Sequence, residues 1–150
     1  MLIKTHFAIV SFALLLMFNS VTYKFAFIAI ALVTTLLPDI DNGFSTFGKH
    51  AIFRPVQFLT KHRGVIHSLT FCLIVSLFFS VYFPLFALPF FLGYGLHLLA
   101  DAFTIEGIKA FWPLSWEFKG PVRVGGTIEQ TLFIGFCIAD IILFVSLFVV

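Results

Sequence analysis

Long apolar runs separated by short polar turns set the pattern of this chain. Five apolar segments stand out, at residues 7–18, 25–37, 69–83, 85–100 and 131–150. Only the last has the roughly 20 residues that cover a hydrocarbon core about 30 Å thick. The first two reach useful length when their flanks join, as 2–19 and 21–37. Spans this short admit half-depth hairpins as well as full crossings. Residues 69–100 as one helix would measure about 48 Å at 1.5 Å per residue, too long for one span. Pro84 and Pro89 interrupt that stretch, and the pattern predicts an antiparallel pair broken near Pro84. The fold class expected is all-α: a single integral membrane domain over residues 1–150, polytopic, with about five hydrophobic helices.

Two polar stretches remain, loop A at about 38–68 and loop B at about 101–128. Loop A has room for a short surface helix around residues 50–60. Loop B is rich in turn formers, with Pro113, Gly120, Pro121, Gly125 and Gly126. Its Trp112 and Trp116 suit a membrane–water interface. Threading the five segments through a bilayer puts the N-terminus, loop A and loop B on one side. Eight of the nine Lys/Arg residues lie there, and only Lys24 lies opposite. Positive residues in short loops mark the cytoplasmic face, so both loops are expected in the cytoplasm and the C-terminus outside.

Composition strengthens the membrane reading. The chain is 61% hydrophobic and 11% charged, with 23 phenylalanines. A soluble domain is about 45–50% apolar and about 25% charged. The net charge of +2 is too small for the dense basic patch of a nucleic-acid binder, so no nucleic acid is expected as partner. Cys72 and Cys137 lie inside apolar runs without CxxC spacing and read as small buried residues. Lys4 before the first apolar run has the outline of a signal peptide. No A-x-A-like site follows, so the segment is read as a retained first span.

Charge sidedness is a rule of insertion, but the histidines follow it too. All five histidines and six of the seven acids fall on the loop side. Asp39 and Asp41 close the second apolar run in Leu36-Leu37-Pro38-Asp39-Ile40-Asp41. Pro and Asp are ordinary helix-end residues, yet two carboxylates in a turn can also converge on a divalent cation. His62 and His67 flank Gly64 before the third segment. They read either as interface side chains with wet tips or as metal ligands brought together by a turn. Arg63 has the planar fork that suits a phosphate. His97 and Asp101, four apart, share one helix face and read as an HxxxD metal pair or as a structural hydrogen bond. His6 and Glu129 are weak alone and gain interest from their common side. His50 and Glu106 are mid-loop and read as solvated. Asp140 stands apart, about 16 Å along the last helix from Glu129, near mid-membrane.

At these residues the chain resembles the YdjM family of bacterial and archaeal inner-membrane proteins, thought to be metal-dependent hydrolases. The resemblance runs in ordered blocks: Leu36 to Asp41; His62-Arg63-Gly64 with His67-Ser68; Gly93-Tyr94, His97-Leu98 and Ala100-Asp101; then Thr104, Gly107 and Trp112-Pro113. Glu129 and His6 match a glutamate and a near-terminal histidine of the family. Two positions depart. Asn42 stands where the family usually has a histidine, and Ile66 where it usually has a threonine. Asn42 removes an imidazole from the ligand set the family implies. The family is in turn distantly similar to zinc-dependent phospholipases C and P1-type nucleases, which implies phosphoester hydrolysis.

The expected site therefore gathers His6, Asp39, Asp41, His62, His67, His97, Asp101 and Glu129 around a divalent metal. Zinc suits this donor set best, with manganese or iron also compatible. Eight candidates exceed the four ligands of one zinc, so several metals or additional catalytic groups are implied. Asp41, Asp101 or Glu129 would serve as general base and Arg63 would hold a phosphate. The partners expected are membrane lipids and a small or amphiphilic substrate, with a phosphoester foremost. A metal-ion or proton transporter and a non-catalytic membrane protein with a structural polar cluster are the rival readings.

Overall fold

The computed structural model describes residues 1–41 and 64–149. These residues form five α-helices: α1 (Ile3–Met17), α2 (Lys24–Thr34), α3 (Leu69–Tyr82), α4 (Pro84–Ala102) and α5 (Thr127–Phe148). A 3-10 helix at Leu37–Asp41 follows α2. There is no strand among the described residues, only two isolated backbone bridges in loop B, Thr104 with Val122 and Ile108 with Phe118. The surface helix expected around residues 50–60 lies outside the described residues.

The break between α3 and α4 falls at Phe83, whose non-helical backbone leaves Pro84 to open α4. Proline suits this position because its missing N–H has no helical partner there and its φ is already helical. Pro89 behaves otherwise than the sequence pattern suggested: α4 runs straight through it. Position 89 is in the second turn, so the helix gives up the one bond to the Leu85 carbonyl and continues. Ser68 caps α3, its Oγ accepting the Phe71 N–H at 3.2 Å. The Ala110 carbonyl of loop B accepts the Leu69 and Thr70 N–H groups at 2.8 and 3.2 Å, so the loop helps to cap the same helix.

Helix α4 is central. It packs on α3, α2, α1 and the 3-10 helix, while α5 lies against α1. One apolar core joins α3, α4 and loop B through Cys72, Phe90, Tyr94, Leu98, Ile108 and Ala110. A second joins α1 and α2 through Val10, Leu14, Phe27 and Ala31, with Leu92 and Leu96 of α4 against it. Gly93 lets α2 and α4 close up, because a Cβ there would strike the Ala31 carbonyl and the Thr34 hydroxyl. Both cysteines are free thiols.

The outside of this bundle is apolar. In α5 only Glu129 is buried, and Ile134, Ile138, Ile141 and Ile142 are all more than half exposed. Such a face would be unfavourable against water and suits lipid chains. Two helices, α4 and α5, are long and apolar enough to cross a membrane. Helices α1 and α3 are shorter apolar helices of 15 and 14 residues. Trp112 and Trp116 are exposed in loop B, among Phe111, Leu114 and Phe118.

Candidate metal centre

Five of the eight predicted ligands meet at one place. His97 and Asp101 come from the last two turns of α4, His6 from the start of α1, His67 from the turn before α3, and Asp39 from the 3-10 helix. The i,i+4 spacing of His97 and Asp101 puts both on the face that α1 and the 3-10 helix cover. Asp101 is the hub. Its Oδ1 lies 3.3 Å from His6 Nε2, and its Oδ2 lies 3.1 Å from His67 Nε2 and 3.6 Å from His97 Nε2. His97 Nε2 is also 3.8 Å from Asp39 Oδ1. The His6 and His97 rings stack with centroids 4.0 Å apart. The Met1 ammonium group pairs with Asp101 Oδ1 as well.

The hydrogen-bond accounting is incomplete in an informative way. The Pro38 carbonyl lies 3.3 Å from His67 Nδ1 and can only accept, so Nδ1 carries the proton. In a neutral imidazole that leaves a bare Nε2 lone pair facing the Asp101 carboxylate. Two acceptors at that separation require a proton or a metal cation between them. Both ring nitrogens of His6, and Nε2 of His97, are buried without a hydrogen-bond partner among the described residues. Orphaned buried nitrogens are costly unless something binds them.

A divalent metal fits this gap. Two trios, His6–His97–Asp101 and Asp39–His67–His97, each have their ligand atoms within 4.8 Å of one another. Two ligand atoms on one tetrahedral zinc, each about 2.0–2.1 Å from it, stand about 3.3 Å apart. The separations around Asp101 and His97 bracket that value. The Pro38 carbonyl orients the His67 ring, the kind of outer partner that a metal-bound histidine would use.

The other candidates are placed differently. Glu129 belongs to neither trio. Its carboxylate accepts the Leu2 N–H at 2.5 Å, the Thr5 hydroxyl at 2.9 Å and the Gly125 N–H at 2.6 Å. It thereby clamps the first turn of α1, which carries His6, onto α5. Asp41 ends the 3-10 helix, two residues beyond Asp39. His62, Arg63, Asn42 and His50 lie outside the described residues. Glu106 is exposed in loop B. Asp140 sits well along α5, with a buried Oδ1 that has no hydrogen-bond partner among the described residues.

Several supporting groups were not legible as such. Thr104 Oγ1 donates to the Asp101 carbonyl at 2.7 Å and accepts the Gly107 N–H at 3.2 Å, which shapes the turn after Asp101. Tyr94 donates its hydroxyl to the Ile66 carbonyl and so ties the His67 turn to α4. The Ile66 contact uses the backbone, which is why no side-chain type there advertised it. Burial raises the Asp39 carboxyl above its ordinary value; the nearby His67 lowers it and Asp101 raises it further.

A helical membrane bundle with a buried histidine–aspartate cluster is the class of protein that this fold and site define. The family of YdjM inner membrane proteins matches residues 1–149, and the chain belongs to that family. It is 38% identical over 112 residues to the inner membrane protein YdjM of Escherichia coli (strain K12), a match covering 67% of this chain and 57% of that protein. The Shigella flexneri protein of the same name matches to the same extent. The uncharacterized protein YvsG of Bacillus subtilis (strain 168) is 31% identical over 122 residues, covering 77% of this chain and 76% of its own length. The chain thus spans a little over half the length of the YdjM relatives. No solved structure matches.

Two outcomes follow from the geometry. Glu129→Ala should free the start of α1, because three donors lose their acceptor. Hydrogen exchange at the Leu2–Thr5 amides should quicken, with a stability loss of about 1–3 kcal/mol for each donor left unsatisfied. Unchanged protection there would show that Glu129 does not anchor α1. The second concerns pH. A carboxyl whose folded pKa is raised above 3.8 binds its proton more tightly in the folded state. Metal-free protein should therefore lose stability as pH rises from that value through the raised pKa. Asp39→Asn should flatten this fall in detergent unfolding measured against pH, and an unaltered slope would assign it to another group.

Proposed function

We propose that this protein is a membrane-bound metal-dependent hydrolase acting on a phosphoester or lipid-like substrate at the cytoplasmic face of the inner membrane. The observation that carries the reading is the unbalanced donor set around Asp101. Three buried imidazoles face one buried carboxylate, and three of their nitrogens have no hydrogen-bond partner among the described residues. His6, Asp39, His67, His97 and Asp101 would hold the metal, with Asp41, His62 and Glu129 completing or supporting the set. Zinc is favoured by the mixture of imidazole and carboxylate, with manganese or iron as substitutes. A bound divalent metal would supply an acidified water and polarise a phosphoryl or carbonyl oxygen.

The residues divide the remaining work. The Asp101 side chain is 5% exposed and that of Asp39 is 24% exposed, so the Asp39 edge is where water and substrate reach the cluster. Asp101 and Glu129 are each engaged by several fixed partners and are poorly suited to take up a proton. The 3-10 turn carries the most exposed carboxylate of the cluster, and the general base is assigned there, to Asp39 or Asp41. Arg63 follows in sequence as the group to hold a phosphate.

The alternative of an ion or proton transporter draws on one observation, the orphaned Asp140 oxygen in α5. A pathway needs polar groups at successive depths, and no described side chain links Asp140 to the cluster by a hydrogen bond. A non-catalytic protein with a structural cluster is the remaining alternative, and its polar groups would hold together without metal.

Elemental mass spectrometry on detergent-purified protein tests the reading. Stoichiometric zinc or manganese is expected, lost in both His97→Ala and Asp101→Ala. Folded wild-type protein that takes up no metal when metal is supplied would refute it. The orientation rests on the placement of Lys and Arg, and a reporter fused after Val150 should read out on the far side from the cytoplasm. A cytoplasmic signal would overturn the five-span topology.

A further inference from the structure

Loop B presents an apolar patch that no described element covers. Phe111, Trp112, Leu114, Trp116 and Phe118 are all exposed, Trp116 by 63%. The Phe111 ring meets those of Trp116 and Phe118 edge-on, with centroids 6.5 and 5.8 Å apart, so the side chains form one surface. A contiguous apolar patch of this kind marks contact with a partner or a membrane.

The charged groups of the loop lie apart from it. Ile108 and Phe118 face each other across the antiparallel bridge, and Ile108 is buried in the core against α4. Lys109, Glu117 and Lys119 flank that pair, so backbone alternation turns them to the other side. There Glu117 pairs with Lys119 at 2.7 Å and with Lys109 at 3.8 Å. Loop B is therefore an amphipathic hairpin with an aromatic tip. Across residues 101–128, Lys109, Lys119 and Arg123 balance Asp101, Glu106 and Glu117, so the loop carries no net charge to attract a charged partner.

Several observations select a bilayer surface as the partner. Loop B joins the end of α4 to the start of α5, the two helices long and apolar enough to cross a membrane, and so lies where a bilayer surface would meet the bundle. The exposed apolar surface of those helices continues into it: Leu99, Phe103, Ile105 and Ile128 are each more than half exposed. Both tryptophans of the chain are in the tip, and tryptophan concentrates at the headgroup level. The backbone also has inner partners. Ile108 and Phe118 exchange bonds of 3.0 and 2.9 Å, the Phe111 carbonyl accepts the Leu114 N–H at 2.7 Å, and the Ala110 carbonyl caps α3. A non-helical segment needs such partners where water is scarce.

We propose that loop B is an interfacial hairpin, its tip at residues 111–116 seated among the headgroups and upper acyl chains of the membrane that α4 and α5 enter. Lys109, Glu117 and Lys119 are turned to water. The partner is the lipid surface itself, without preference for headgroup charge. The inference is independent of the metal and of the hydrolase reading, but it sets the depth of the cluster. Loop B is bonded to the start of α3 through Ala110 and, through the Gly120 N–H at 3.0 Å from the Thr104 carbonyl, to the turn after Asp101.

Because both tryptophans lie in the tip, the intrinsic fluorescence of the full chain reports loop B. The experiment reconstitutes the chain in phosphatidylcholine vesicles at a low protein-to-lipid ratio. Quenching is measured with iodide on both sides, and with lipids brominated either near the carbonyl end or near the methyl end of their acyl chains. Emission should fall at the short wavelengths of indole in an apolar setting. Iodide should quench it several-fold less than a free tryptophan analogue, and bromines near the carbonyl end should quench it more than those near the methyl end. Trp112→Phe and Trp116→Phe should each leave this pattern for the tryptophan that remains, and adding phosphatidylglycerol should not change it. Iodide quenching equal to that of the free analogue would overturn the proposal and put the loop in water. Shielding from iodide without quenching by either brominated lipid would overturn it too, and would assign the patch to a second copy, to residues 42–63 or to another protein. Strongest quenching near the methyl ends would refute the interfacial depth, and shielding that appears only with phosphatidylglycerol would refute a partner chosen without regard to charge.

Discussion

A carboxylate buried among helices is the constraint on which this structure turns. Taking Asp101 out of water is costly unless charge or hydrogen bonds compensate, and a bilayer offers no water to do so. The Met1 ammonium group pairs with the carboxylate, and three imidazoles that could share a proton or a metal with it come from His6 of α1, His67 of the turn before α3 and His97 of the same helix. The His6 and His67 contacts each fix one element relative to α4, and the His97 contact stays within α4. The same end of α4 is held from outside by Thr104, and α1 is held in turn by Glu129. The site is thus a junction of the fold, and any group that completes its donor set also tightens the bundle.

The solvent explains the rest of the architecture. With lipid outside, apolar surface does not drive α5 inward, and the helix keeps almost its whole length exposed while Glu129 anchors its polar end. Close approach of small residues takes over some of the work that the hydrophobic effect does in water, as Gly93 against Ala31 illustrates. Loop B is held mainly through backbone bonds, with Ile108 and Phe118 exchanging N–H···O contacts of 3.0 and 2.9 Å, which frees its aromatic side chains to face outward.

Much of this was legible in the sequence because it followed from period and sidedness. The helix pair at Pro84 came from length and proline chemistry. The His97–Asp101 pair came from i,i+4 geometry. The grouping of His6, Asp39 and His67 with them could be read only as a shared side of the membrane, since no local spacing encodes contacts between residues dozens of positions apart. Pro89 was read as an interruption because propensity treats proline without regard to its place in a helix. The role of the Pro38 carbonyl was invisible, since backbone acceptors carry no residue signature. Glu129 was recognisable as a group that matters, but spacing did not distinguish a ligand from a clamp.

That distinction bears on how the cluster is built. A carboxylate that accepts three hydrogen bonds from its own chain has its lone pairs committed, and Glu129 accepts from Leu2, Thr5 and Gly125 at once. Asp39 stands on a short 3-10 turn at the exposed edge of the cluster, its side chain 24% exposed. Helix ends carry His6, His97 and Asp101, the turn before α3 carries His67, and a short 3-10 turn carries Asp39, the most exposed carboxylate of the cluster. For the proposed chemistry this is the favourable division. The groups that bind an ion need fixed positions, and Asp39, the most exposed of them, is the one that substrate and protons can reach.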